Sequence, residues 1–173
     1  LIGFIRYKQA NYKVKETKLT NADGSVKDEV VQTYIGNKLV PGTPPTKYLY
    51  DAYAYDSELE LKNMQTDIDE AIVYGKIPSH SICIPTIASS NYSPDFMYVV
   101  KKGDGTKELN IVIETKAYDK ETQITPDEET KISCAEEFFK AMTANGYTVY
   151  FRKQINSTRI KTIVDELMNG NIV

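Results

Sequence analysis

SPDFMYVV (93–100) and LNIVIETK (109–116) are two apolar runs whose reading decides the fold. Between them KKGDGTKE (101–108) supplies the Gly-Asp-Gly of a tight connection, so the two runs are expected as a strand hairpin at the centre of a sheet. Successive side chains on a strand alternate faces, which puts Glu114 and Lys116 on one face and Thr115 on the other. Asp95 opens the first strand while Glu114 and Lys116 end the second, so pairing brings all three together. Two carboxylates and an ammonium then share one surface.

Crowded carboxylates repel one another and resist desolvation unless a hard cation neutralises them. Oxygen ligands of this kind suit magnesium, which keeps several waters and accepts phosphate oxygens. Lys116 beside them is placed to position, or help deprotonate, a metal-bound water. These are the parts of metal-assisted phosphodiester hydrolysis.

Working outward, Ala71–Ile87 (AIVYGKIP, then SICIPTI) reads as a short strand or helix end, a turn around Pro78 and the first strand of the central hairpin. Before it, Asp56-Ser57 is an N-cap signal for a helix over 57–70, with Leu61, Met64 and Ile68 on one face. Glu60 flanks that face; as an acidic group in a first helical turn it would also simply favour the helix dipole. On the other side of Lys116, AYDKETQI is expected as a loop. Thr125-Pro126-Asp127-Glu128 is a capping box with Pro at the first helical position, opening a helix over 126–144 that stops at Asn145-Gly146. Ile132, Ala135, Phe138, Phe139 and Met142 form its apolar stripe. TVYFR (148–152) is expected as a buried strand parallel to the one ending in Lys116, through a helical crossover, and 157–170 as a last amphipathic helix.

These stretches resemble the PD-(D/E)xK nucleases, and their flanks resemble the C-terminal endonuclease domain of type III restriction enzyme Res subunits. The resemblance is carried by YAYDSELE (53–60), KIPS (76–79), ICIPT (82–86), YSPDF (92–96), IVIETK (111–116) and EETKISCAEEFF (128–139). This sequence has Ala117, and Ala88-Ser89-Ser90, where that pattern usually places Gly. The resemblance implies an α/β restriction-endonuclease-like sandwich, a mixed central sheet flanked by helices, with an N-terminal β-hairpin extension. It also implies magnesium-dependent cleavage of double-stranded DNA, Asp95 and Glu114 as metal ligands, Lys116 orienting water, and Glu60 supporting the site, with Glu58 the weaker candidate. It further implies an ATP-dependent helicase upstream in the same chain, a methyltransferase subunit as partner and a cytoplasmic setting. A non-catalytic docking or DNA-gripping module of the same fold, or a nuclease of another lineage in the superfamily, is the alternative.

The chain has 173 residues, of which 41% are hydrophobic and 26% charged, enough for one domain with a genuine core. It divides into an N-terminal β extension and linker (1–47) and a nuclease domain (48–173); starting at Leu1, it reads as a fragment of a longer polypeptide. In the extension, the turn at Asn21-Ala22-Asp23-Gly24 joins two alternating strands with Lys8, Lys13, Lys15 and Lys18 on one face, and GNKLVPGTPPTK (36–47) is an irregular connection. No run is long enough to span a membrane. A net charge of −3 argues against a freestanding DNA binder and for a cleavage module delivered by other parts of an assembly. Lys101, Lys102, Lys107, Arg152, Lys153, Arg159 and Lys161 are scattered basic groups more in keeping with a solvated surface. Cys83 and Cys134, in apolar surroundings without a metal-binding spacing, are expected as buried free thiols. His80 is the one histidine, so no imidazole pair can form within the chain. The prolines of Gly42-Thr43-Pro44-Pro45-Thr46-Lys47 remove the backbone donors a phosphate loop needs, which excludes ATP hydrolysis at this stretch.

Overall fold

The two central runs form β6 (Phe96–Lys101) and β7 (Glu108–Lys116), paired antiparallel with Phe96 opposite Ile113 and Lys101 opposite Glu108. The structure is a computed structural model that describes residues 21–23, 25, 35–87, 91–101, 105, 108–146 and 148–170. The remaining elements are β1 (Lys38–Val40), β2 (Tyr53–Tyr55), α1 (Glu58–Gln65), β3 (Ala71–Lys76), β4 (Ile84–Pro85), β5 (Asn91–Tyr92), α2 (Pro126–Ala144), β8 (Val149–Ile155) and α3 (Ile160–Met168).

The central sheet has the order β3-β6-β7-β8. Its first three strands are antiparallel neighbours, whereas β8 returns through α2 to lie parallel to β7, which makes the sheet mixed. Alternation along β7 sends Ile111 and Ile113 into a core shared with α1 and α3, and Val112 into a second core under α2 with Ile132, Ala135, Phe139 and Phe151. This is the expected restriction-endonuclease-like α/β sandwich. β1 and β2 form a small antiparallel sheet, and Leu39 and Val40 pack against the first core.

The capping signals translate directly into structure. In α2 the Thr125 hydroxyl accepts from Glu128 N (3.3 Å), the Glu128 carboxylate accepts from Thr125 N (3.1 Å), and Gly146 after the helix has φ +90°. In α1 the Ser57 hydroxyl accepts from Glu60 N (3.2 Å).

Several expectations are corrected. The first helix stops at Gln65 rather than at 70, because the Tyr74 hydroxyl lies 2.9 Å from Met64 O and 3.1 Å from Thr66 O, carbonyls that further helical amides would need. Ile68 is still fully buried, but from the turn that follows. Residues 71–76 are a full strand, β3, on the edge of the central sheet, while ICIPT contributes only β4, paired with β5 outside that sheet. The proline-rich 36–47 stretch contains β1, and the loop after Lys116 contains a short 3-10 turn, Glu121–Gln123. Phe138 is half-buried at the margin of the α2 stripe. Both cysteines are free thiols, yet neither is buried: Cys83 is exposed because the alternation that buries Ile84 turns its neighbour outward, and Cys134 is half-covered.

The strands expected in the first 35 residues, with Lys8, Lys13, Lys15 and Lys18, lie outside the described residues, as do Lys102 and Lys107. The turn between those strands is described at Asn21–Asp23 and Ser25, where Asn21 N donates to Ser25 O (2.7 Å) and Asp23 accepts from Ser25 N (2.9 Å). No helix among the described residues is long and apolar enough to cross a membrane.

Candidate active site

β6 begins at Phe96, so on the β6 side the amide of Thr115 on β7 has no strand partner. Asp95 supplies one from its side chain. Its Oδ2 accepts from Thr115 N at 2.8 Å and from Thr115 Oγ1 at 2.5 Å, while its backbone amide donates to Ile113 O at 3.2 Å. The carboxylate is thereby fixed at the open end of the hairpin, between the two faces of the sheet.

The face toward α2 carries Glu114 and Lys116, as alternation requires. Lys116 Nζ lies 2.8 Å from Glu114 Oε1 and 3.4 Å from Glu128 Oε1 in the first turn of α2. The other oxygen of Glu114 accepts a short hydrogen bond from the Tyr92 hydroxyl of β5. Tyr92 and Glu114 are both buried. Glu128 also accepts from the Tyr118 hydroxyl (3.1 Å), so the cap of α2 reaches the end of β7 and holds the lysine there.

The opposite face, toward α1, carries Thr115, whose β8 partner Gln154 exchanges hydrogen bonds with Asn63 of α1 (2.6 and 3.1 Å). Glu60 lies on this side, buried at the base of α1. Its Oε2 accepts from the Asp56 amide at 2.9 Å and pairs with Lys76 Nζ at 2.6 Å, and the same ammonium is 2.7 Å from Asp56 Oδ2. Glu58, by contrast, is exposed and pairs with Lys38 at 3.7 Å. Lys153 and Lys161 pair with Glu121 (3.5 Å) and Asp69 (4.0 Å) at the surface, and His80 is an exposed turn residue at φ 65°.

The electrostatics follow from this burial. Desolvation, reinforced by the charge of Asp95, pushes the Glu114 carboxyl up to about 7 against the pull of Lys116 and Tyr92. Burial raises Asp95 as well, opposed by its two bonds from Thr115. Burial likewise raises Glu60, with Lys76 opposing. Both lysines are partly desolvated, which disfavours their charge, but the neighbouring carboxylates outweigh that and raise them.

Asp95, Glu114 and Lys116 are thus brought together, and Glu60 approaches Asp95 from the α1 side through Lys76. Three participants escaped the sequence reading: Lys76, Tyr92 and Glu128. All three stand within quoted stretches, KIPS, YSPDF and EETKISCAEEFF, and Glu128 was legible as a cap besides. The signal for Lys76 was a lysine ending a strand otherwise made of small and apolar residues.

The endonuclease-domain family matches residues 46–158. The Res subunit of the type III restriction-modification enzyme EcoPI of Escherichia phage P1 is 36% identical over 160 residues, and that of EcoP15I of Escherichia coli is also 36% identical over 160 residues; each match covers 91% of this chain. The StyLTI Res subunit of Salmonella typhimurium is 23% identical over 129 residues, covering 73% of this chain. The chain spans 16% of the length of the first two relatives and 12% of the third. No solved structure matches significantly. With the matched segment running from the strand-pairing residues before α1 to the end of β8, this chain belongs to the endonuclease-domain family.

Proposed function

We propose that this domain cleaves DNA phosphodiester bonds as the PD-(D/E)xK nuclease of a type III Res subunit, with magnesium as its cofactor. The observation that carries the reading is Glu114 and Lys116 side by side on one face of β7, with the carboxylate of Asp95 fixed at the adjoining strand end. The donor set suits the ion: two carboxylates in a desolvated setting, with oxygen ligands only. Two protein ligands leave room for water and phosphate oxygens, the mode magnesium favours. When bound on Asp95 and Glu114, the ion would supply Lewis-acid stabilisation of the phosphate and a more acidic water.

The chain's own residues do the rest. Lys116 orients the attacking water and offsets negative charge developing on the phosphate. Tyr92 and Glu128 position Glu114 and Lys116. Glu60 supports the site from the α1 side. That the chain spans 16% of its first two relatives supports further domains in the whole protein; the resemblance to Res subunits makes these an upstream ATP-dependent helicase, with a methyltransferase subunit that reads the sequence of double-stranded DNA, in a cytoplasmic assembly. Asp95→Asn is the direct test, because the amide oxygen still accepts from Thr115 while the charge is gone. Loss of both magnesium binding and cleavage in the full-length assembly, with a metal-free melting temperature no lower than that of the wild type, is the expected result. Unaltered cleavage would assign this fold a docking or DNA-gripping role instead.

A further inference from the structure

Lys76 is the charged group that the site description leaves without a task. It ends β3 opposite Phe96, and the next amide, Ile77 N, donates to Asp95 O at 2.7 Å, so the lysine and Asp95 are neighbours at the open end of the β3–β6 ladder. Its side chain is only 6% exposed. A lone buried ammonium would be strongly unfavourable, and the structure compensates it twice, with Glu60 at 2.6 Å and Asp56 at 2.7 Å. Those carboxylates are in turn occupied: Asp56 Oδ1 accepts from Asn37 N (2.8 Å) and Asn37 Nδ2 (2.7 Å), and Glu60 Oε2 from the Asp56 amide (2.9 Å).

Carboxylates therefore approach Asp95 from two sides of the sheet. On the α2 side stands Glu114; on the α1 side stands Glu60, whose ammonium partner Lys76 also holds Asp56. A divalent ion shared between Asp95 and Glu60 would have to settle beside a full positive charge already bonded to Glu60 Oε2. On the α2 side Lys116 likewise bridges two carboxylates, Glu114 and Glu128, but it is the more exposed of the two lysines, 18% against 6%, and the other oxygen of Glu114 takes a neutral hydroxyl.

We propose that the Lys76 ammonium is a built-in cation filling the α1 side of the site, a positioning residue that holds Glu60 and Asp56 and restricts the domain to one divalent ion on Asp95 and Glu114. The inference rests on the reading of those two carboxylates as metal ligands. It assigns Glu60 a role through Lys76 rather than on the metal.

The test counts Mn2+ ions bound per chain in the purified protein, by calorimetry and by loss of the free-ion resonance signal. Wild type should bind one, and Glu60→Gln should also bind one. Lys76→Met should bind two, since it vacates the position that its ammonium holds beside Glu60 on the Asp95 side. The double variant Lys76→Met, Glu60→Gln should return to one. Two ions on the wild type, or one on Lys76→Met, overturns the inference while leaving the nuclease reading intact. No ion on the wild type overturns the metal reading itself. Should Lys76→Met fail to fold, Glu60→Gln decides: a retained single ion supports the lysine's role, and a lost ion makes Glu60 a ligand and overturns it.

Discussion

Lys116 Nζ lies 2.8 Å from Glu114 Oε1, two positions along the same strand. In a surface setting such a pair would contribute little, but here Glu114 is only 4% exposed and the lysine has a second anchor in Glu128. The ammonium is held at the end of β7 from two directions, one along the strand and one from the first turn of α2. A group fixed in this way loses little freedom when it meets substrate, which is what electrostatic stabilisation of a transition state requires.

Lys116→Ala should therefore leave magnesium affinity unchanged or tighter, since a positive charge next to the ligands opposes cation binding. Cleavage should fall on the order of a hundredfold or more, the usual consequence of losing one such contact. Single-turnover cleavage and metal titration on the same variant check this. Both quantities unchanged would mean that the lysine only forms an ion pair.

The raised carboxyl of Glu114 makes stability depend on pH. Its ordinary value is 4.5 and the folded value about 7, so the folded protein binds this proton more tightly than the unfolded chain does. The resulting stabilisation is fully present below about pH 4.5 and is lost as pH rises through about 7, on the order of 3 kcal/mol in all. Asp95, also raised, acts in the same direction and titrates with it. Denaturation at pH 5 and pH 8 without divalent ions should show the loss. Glu114→Gln should flatten it, and saturating Mg2+ should restore stability at pH 8 by binding the charged carboxylates. Equal metal-free stability of the wild type at both pH values would contradict the assignment.

DNA binding by the chain alone should be weak and indifferent to sequence. Its net charge is −3, and described cations such as Lys131, Lys153 and Lys161 are paired with Asp127, Glu121 and Asp69. Dissociation constants in the range of about 10⁻⁶ to 10⁻⁴ M at physiological salt are expected, as for non-specific binders. Tight, salt-resistant, sequence-specific binding in a fluorescence titration would instead make this a self-sufficient nuclease.

What could be read from the sequence was local. The β6–β7 hairpin, the limits of α2 and the shared face of Glu114 and Lys116 follow from alternation, Gly-Asp-Gly and a capping box, each a signal carried within a few residues. The end of α1 was illegible because the hydroxyl of Tyr74, from β3, sits between the carbonyls of Met64 and Thr66 and donates its one proton there, and nothing near Gln65 announces that. Lys76 was illegible for a similar reason. A lysine at a strand end reads as a solvated edge until α1 lays Glu60 across it, and that contact joins residues 16 positions apart. Thr115, placed correctly on the far face, still reaches the site, because Asp95 bends back across the strand end to accept from its amide and hydroxyl.

Tyr92 offers the last test, because its hydroxyl is the one neutral donor to Glu114 identified at the site. A hydrogen bond to a carboxylate favours the charged form, so this contact opposes the rise that burial imposes on Glu114. Tyr92→Phe keeps the ring that packs with Ile84 and Val112 in the core under α2 and removes only the donor. Glu114 should then hold its proton to higher pH, shifting the acid limb of cleavage upward and weakening magnesium binding at pH 7 more than at pH 9, where the carboxylate is charged in either protein. The loss of activity should accordingly be partly recovered by raising pH, a signature that mere loosening of the core would not give. A uniform loss across the pH range, with no shift of the acid limb, would assign Tyr92 to packing alone.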